Sequence, residues 1–296
     1  MERKKSSDLP QQPLELFSSD MHGVISRRVF LDGAHRFAVS GVIGTALLEM
    51  LKLNYAFAVE VPETDRRIRS DYAYIASPQG NGAVNAYLTY KNADGKRAGV
   101  LVVHEDRGLN PYIEDVARRL ALADFIALAP DGLSSVGGYP GDDEKGAELF
   151  MKVDPAKMLE DFHAAAMWLK NSPSCTGRIG VIGFSFGGGM ANQLAAKMGA
   201  DLAAAVSFYG AQPSPLDVAK MKAALLAHYA ELDIPITSGW PAFDAALSAA
   251  HVPHEAYFYT GANHDFHNDT APRYDEAAAK LAWQRTLDWL NKYLTG

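Results

Sequence analysis

The sequence predicts an α/β chain with a mostly parallel sheet of about eight strands and helices on both faces. Three observations lead there. Short, continuous apolar runs recur along the chain, as strands buried on both faces require. Helix-like segments separate them. One strand-to-helix junction reads Gly183-Phe184-Ser185-Phe186-Gly187, a turn rich in glycine where a loop would otherwise be polar.

Composition narrows the function classes. The chain has 296 residues, 48% hydrophobic and 21% charged, which argues against a disordered or collagen-like protein. Its formal charge is −7 and no basic stripe occurs, so nucleic acid is not an expected partner. A single cysteine, Cys175, excludes an intramolecular disulfide and a cysteine-rich zinc site. Oligomeric state is left open.

Residues 1–58 read as a separate extension and residues 59–296 as the catalytic domain. Met1 to Ser19 is polar and without periodicity. Ser26-Arg27-Arg28-Val29-Phe30-Leu31 is similar to a twin-arginine export signal. A moderately apolar stretch from Phe37 to Leu48 follows, then Ala56-Phe57-Ala58, small residues suited to a signal peptidase. Cleavage there would start the mature chain at Val59 and place it in the periplasm or outside. The alternative is a helical appendage packed on the domain, in a cytoplasmic protein. Asp32, His35, Arg36, Glu49 and Lys52 interrupt the apolar stretch, so a stable membrane span is not expected.

From Val59 onward the elements follow in order. Tyr72 to Ala76 and Val84 to Tyr90 alternate and suit an edge hairpin. Gly99 to His104, Phe125 to Ala129, Ile179 to Phe184, Ala203 to Phe208, Ala223 to His228 and Ala256 to Tyr259 are the remaining strands. Helices are expected over Pro111 to Ala123, Ala156 to Lys170, Gly187 to Met198, Trp240 to Ala250 and Tyr274 to Leu294. Leu133 to Asp154 is the longest insertion and reads as a mobile rim, not a cap domain. Cys175 is placed ahead of its strand. In open sheets of this kind the site lies at the carboxyl ends of the strands.

The chemistry centres on Ser185. Gly183 to Gly187 has the G-x-S-x-G form of a nucleophile elbow, in the strand–turn–helix context that form requires. A serine needs a base, and the base needs a carboxylate to hold its tautomer. His264, after the last strand, is the expected base, with His267 as a competitor; His251 and His254 are expected at the surface. Asp233 is the expected acid and Glu231 the second choice. The Phe186 and Asp106 N–H groups are the expected oxyanion donors. Glu105 would approach the nucleophile. Arg107, Tyr112, Tyr139, Tyr209, Trp240 and Phe266 are candidates for a substrate pocket. A metal site at His264, His267 and Asp269 rests on spacing alone and is set aside; no metal or organic cofactor is expected.

Together these residues resemble the dienelactone hydrolase (carboxymethylenebutenolidase) family of α/β-hydrolases, closest to bacterial members with an N-terminal extension. The resemblance spans about Tyr72 to Leu294. It rests on His104-Glu105 through Pro111, Ala129-Pro130-Asp131-Gly132, the elbow, Phe208-Tyr209-Gly210, Glu231 to Asp233 and His264 to Phe266. It implies the α/β-hydrolase fold and hydrolysis of a small-molecule ester or lactone.

Two departures stand out. The family nucleophile is cysteine, with the acid at the Glu105 position facing it, and here the nucleophile is Ser185. The family also holds an anionic lactone with two arginines. The matching stretches read Asp131-Gly132-Leu133-Ser134-Ser135 and, four residues beyond the histidine, Asn268. Arg107 or Arg273 would either compensate or sit at the surface. The readings left open are a serine hydrolase, a Cys-to-Ser replacement in a dienelactone hydrolase, and a weakened or non-catalytic ligand-binding member of the fold. Amide or thioester hydrolysis is a further alternative.

Overall fold

The computed structural model describes residues 59–296. The paired arginines and the Ala56-Phe57-Ala58 stretch lie outside the described residues. Among the described residues no helix is long and apolar enough to cross a membrane.

Eight strands form one sheet in the order β1-β2-β4-β3-β5-β6-β7-β8. The strands are β1 (Ile68–Ser77), β2 (Gly82–Lys91), β3 (Arg97–Val103), β4 (Ile126–Pro130), β5 (Cys175–Phe184), β6 (Ala204–Phe208), β7 (Ala224–Ala230) and β8 (His254–Tyr259). Only β2 runs against its neighbours β1 and β4; every other pairing is parallel. The helices are α1 (Pro111–Leu122), α2 (Asp143–Phe150), α3 (Pro155–Lys170), α4 (Phe186–Met198), α5 (Pro215–Val218), α6 (Ile234–Thr237), α7 (Trp240–Ala249) and α8 (Glu276–Leu294).

The apolar strands become central because side chains alternate and both faces are covered. In β3, Leu101 and Val103 enter a core with Met158 and Phe162 of α3, Leu194 of α4 and Leu247 of α7. Val100 and Val102 enter the opposite core, with Ile113 and Val116 of α1 and Leu290 of α8. Helix starts are set locally. Asn110 caps α1 by accepting from the Ile113 N–H at 3.2 Å, with Pro111 as first residue. Asp154 and Pro155 do the same for α3.

Three expectations change. Cys175 is the first residue of β5, not a loop residue ahead of it. It pairs with Arg97 across a register shift, and Gly177, at φ +85°, supplies the backbone freedom for that irregularity. The rim at 133–154 is an organised segment. It contains α2, capped by Asp142, and the Asp131 carboxylate holds the Leu133 and Tyr139 N–H groups at 3.0 and 2.7 Å. His254 opens β8 and is half-buried, with its Nε2 3.1 Å from Asp244.

Topology places the site. From β3 the chain steps outward to β4, then returns to β5 on the other side of β3. Loops leaving the ends of β3 and β5 therefore diverge and leave a crevice between them. Ser185 follows β5, and Glu105 and Asp106 follow β3.

Candidate active site

Ser185 sits between β5 and α4 with φ 53° and ψ −114°. This is strained backbone for a residue with a Cβ, and the surroundings hold it there. A Cβ at Gly183 would collide with the Gly187 backbone, and one at Gly187 with the carbonyls of Val103 and His104. The Ser185 N–H donates to Phe208 O at 3.0 Å, and its carbonyl accepts from Gly189 at 3.1 Å. Phe186 opens α4, so its N–H belongs to the helix end that lacks internal acceptors. Asp106 lies on the neighbouring loop after β3.

The expected base and its expected acid come from adjacent parallel strands. Asp233 follows β7 and His264 follows β8. His264 Nε2 lies 2.8 Å from Ser185 Oγ, and His264 Nδ1 lies 2.5 Å from Asp233 Oδ2. With Asp233 accepting, Nδ1 carries the proton and Nε2 accepts from the serine hydroxyl. Glu231, the second choice, instead accepts from the Gly261 N–H at 2.8 Å. The Tyr209 ring packs 4.9 Å from the His264 ring, and the buried Phe266 packs on Tyr209 and Phe208.

The remaining loop residues are tied down elsewhere. His267 is buried and its Nδ1 meets the Tyr112 hydroxyl at 2.8 Å. Burial and the nearby Arg119 hold its pKa well below the usual histidine range. Asp269 pairs with Arg119 at 2.5 Å. His264, His267 and Asp269 thus face three different partners.

Glu105 is 2% exposed and makes no hydrogen bond to Ser185 among those the structure records. Its Oε2 accepts from Asn268 at 3.1 Å and lies 3.7 Å from Arg107. Its Oε1 has no hydrogen-bond partner among the described residues. Burial, then the Asp265 carboxylate, push the Glu105 pKa well above the usual carboxylate range, against the pull of Arg107. Arg107 and Arg273 are both buried, so neither is a surface residue. Arg273 donates to Asp265, whose other oxygen is 3.5 Å from His264 Nε2. Both arginines near the site therefore face acids of the chain itself.

Two pocket candidates lie in other surroundings. The Trp240 ring contacts Tyr229, Phe243, His254 and Phe258. Tyr139 donates to Asp143 at 3.0 Å, within the rim. Sequence reading missed Phe150, whose ring lies 4.7 Å from Phe186, and the acid–arginine pair Asp265–Arg273. A helical signal, Asp142 before an acidic first turn, was available for the first. No local signal announces the second.

A family model described as the dienelactone hydrolase family matches residues 84–294. A separate model, described as YqhI-like, matches residues 1–39. A Salmonella typhi protein named as a carboxymethylenebutenolidase is 33% identical over 230 residues, 73% of this chain and 84% of that protein. An Escherichia coli hydrolase fragment, YghX, is 60% identical over 111 residues, 37% of this chain and 95% of the fragment. A Klebsiella pneumoniae crystal structure named for a dienelactone hydrolase is similar at a TM-score of 0.66 and 29% identity, covering 76% of this chain and 100% of the other.

Proposed function

The chain belongs to the dienelactone hydrolase family, and on that premise we propose that it hydrolyses a small-molecule ester or lactone through an acyl-enzyme on Ser185. The observation that carries this reading is the hydrogen-bonded series Ser185–His264–Asp233, at 2.8 and 2.5 Å, set on a strained elbow.

The steps follow from those atoms. Ser185 Oγ attacks the carbonyl carbon while His264 Nε2 takes its proton. Asp233 keeps the Nδ1 proton in place and stabilises the imidazolium. The Phe186 and Asp106 N–H groups receive the negative oxygen as the C=O bond opens. When the carbonyl re-forms, the C–O bond to the alcohol breaks and His264 returns the proton to that oxygen. For a lactone the alcohol stays tethered to the acyl group. Water then attacks the acyl-enzyme, giving its proton to His264, and the proton ends on Ser185 Oγ. Every step uses groups of this chain and water.

The substrate need not be an anion. Residue 268 is asparagine, and Arg107 and Arg273 face Glu105 and Asp265. A substrate carboxylate has no arginine pair waiting for it, so uncharged esters and lactones fit the site better than dienelactone. The test is turnover of p-nitrophenyl acetate. Ser185→Ala should lower kcat/KM by at least about a thousandfold, because serine and histidine act as a unit. Turnover equal to that of the unaltered protein would sink the assignment.

A further inference from the structure

The loop between β8 and α8 carries His264 but contains no regular element, only turns. Something must still hold the imidazole in line with Ser185, because a misplacement of about 1 Å can cost roughly a hundredfold in rate. The loop is fastened to α1, a helix seated in the core through Ile113, Val116 and Leu120. Two side-chain links do this. One joins Tyr112 to His267 at 2.8 Å. The other passes through Arg119.

Arg119 is 8% exposed. Its Nη2 lies 2.5 Å from Asp115 Oδ2 and 2.5 Å from Asp269 Oδ2. Its Nε adds a second bond to Asp115 at 2.8 Å. Asp269 stands five residues beyond His264, and it is 5% exposed. A buried carboxylate is costly unless it is paired or protonated; burial raises the Asp269 pKa and Arg119 pulls it back, so the ion pair to Arg119 ties this part of the loop to α1.

The other side of Asp115 reaches a third segment. Its two oxygens accept the N–H groups of Val61 and Glu60 at 2.9 and 3.1 Å. Arg118 donates to Val61 O at 2.6 Å, and Glu60 Oε1 lies 3.3 Å from Arg119 Nη1. Residues 60–61 thereby satisfy the carboxylate that orients Arg119. They are also the point where the N-terminal extension joins the domain.

We propose that Arg119 is a positioning residue. By bridging Asp115 on α1 and Asp269 on the histidine loop it holds His264 in line with Ser185, and the seating of residues 60–61 completes the bridge. This rests on the hydrolase reading above. The bridge also gives the start of the domain a physical connection to the base, through buried charges instead of backbone.

The experiment uses the full chain and three variants, Arg119→Met, Arg119→Lys and Asp269→Asn. Ester turnover and hydrogen exchange of peptides from 260–275 are measured where circular dichroism shows each variant folded. Arg119→Met should lose roughly tenfold to a hundredfold in kcat with KM little changed, and its loop amides should exchange faster while those of 183–189 do not. Lysine can reach one carboxylate but not both in a fork, so Arg119→Lys should recover part of the loss. If Arg119→Met does not fold, Asp269→Asn carries the test; it keeps an oxygen but removes the charge, and should show the same two changes in smaller measure. Unaltered kcat and unaltered loop exchange in the folded variants would overturn the proposal. Failure of the hydrolase reading would look different, with Ser185→Ala fully active whatever Arg119 does.

Discussion

The elbow and the histidine loop hold Ser185 and His264, the two halves of the proposed proton transfer, yet they are built by different means. Backbone sets the elbow. Ser185 takes its left-handed conformation because glycines at 183 and 187 let the turn close on β3 and α4. Side chains set the loop, through Tyr112–His267, Arg119–Asp269, Asn268–Glu105 and Arg273–Asp265. The first design is written in five consecutive residues, Gly183 to Gly187, packed on backbone of neighbouring strands. The second draws on residues more than a hundred positions away. A backbone-built part resists loss of a side-chain contact but has no tolerance for an added methyl, and the loop should behave in the opposite way.

The largest expected effect comes from adding that methyl. In Gly187→Ala the new Cβ meets the backbone carbonyls of Val103, the last residue of β3, and of His104 just after it. We expect a stability loss of about 1–3 kcal/mol and a turnover loss of about a hundredfold or more. Thermal unfolding and p-nitrophenyl acetate assays check both. Full activity in a stable Gly187→Ala protein would mean that close packing does not set the elbow.

A smaller effect is expected where the loop meets β3. Glu105 is buried beside Asn268, and its carboxyl is raised well above the usual range. The native state therefore keeps a proton that the unfolded chain gives up, and Glu105 contributes less stability as pH rises above the unfolded value, 4.5. Glutamine keeps the shape and cannot ionise. Glu105→Gln should therefore raise Tm relative to the unaltered protein at about pH 8, and by less at about pH 5. A Tm difference that does not vary with pH would show that the buried carboxyl does not change its charge on unfolding.

The same contrast explains what could be read from the chain. All eight strands are legible, the edge pair β1 and β2 from alternation and the other six from short apolar runs bounded by turn residues. The elbow was legible because its glycines, strand and helix are contiguous. Asp233 is preferred to Glu231 in the sequence although both follow β7; in the structure Asp233 meets His264 while Glu231 accepts from the Gly261 N–H. Cys175 is expected ahead of its strand because the apolar run starts at Ile179; the strand begins four residues earlier, across an irregularity at Gly177. For Arg107 and Arg273 the sequence leaves two readings, substrate contact or surface; both are buried against acids, Glu105 and Asp265, and are not surface residues. Among the aromatic candidates, composition could not separate Tyr209, against the histidine, from Trp240, packed with Tyr229 and Phe243.

The cysteine departure remains the sharpest clue to the chemistry. The one thiol, Cys175, opens β5, and Ser185 follows the opposite end of that strand. In the proposed mechanism activation therefore comes from His264 and not from a thiolate. Intact-mass spectrometry after treatment with a fluorophosphonate tests this most directly, on the unaltered protein and on Ser185→Ala. The account predicts one phosphonyl adduct, mapping to Ser185, on the first and none on the second. A folded, unaltered protein that takes no adduct, or takes it at another residue, would contradict it.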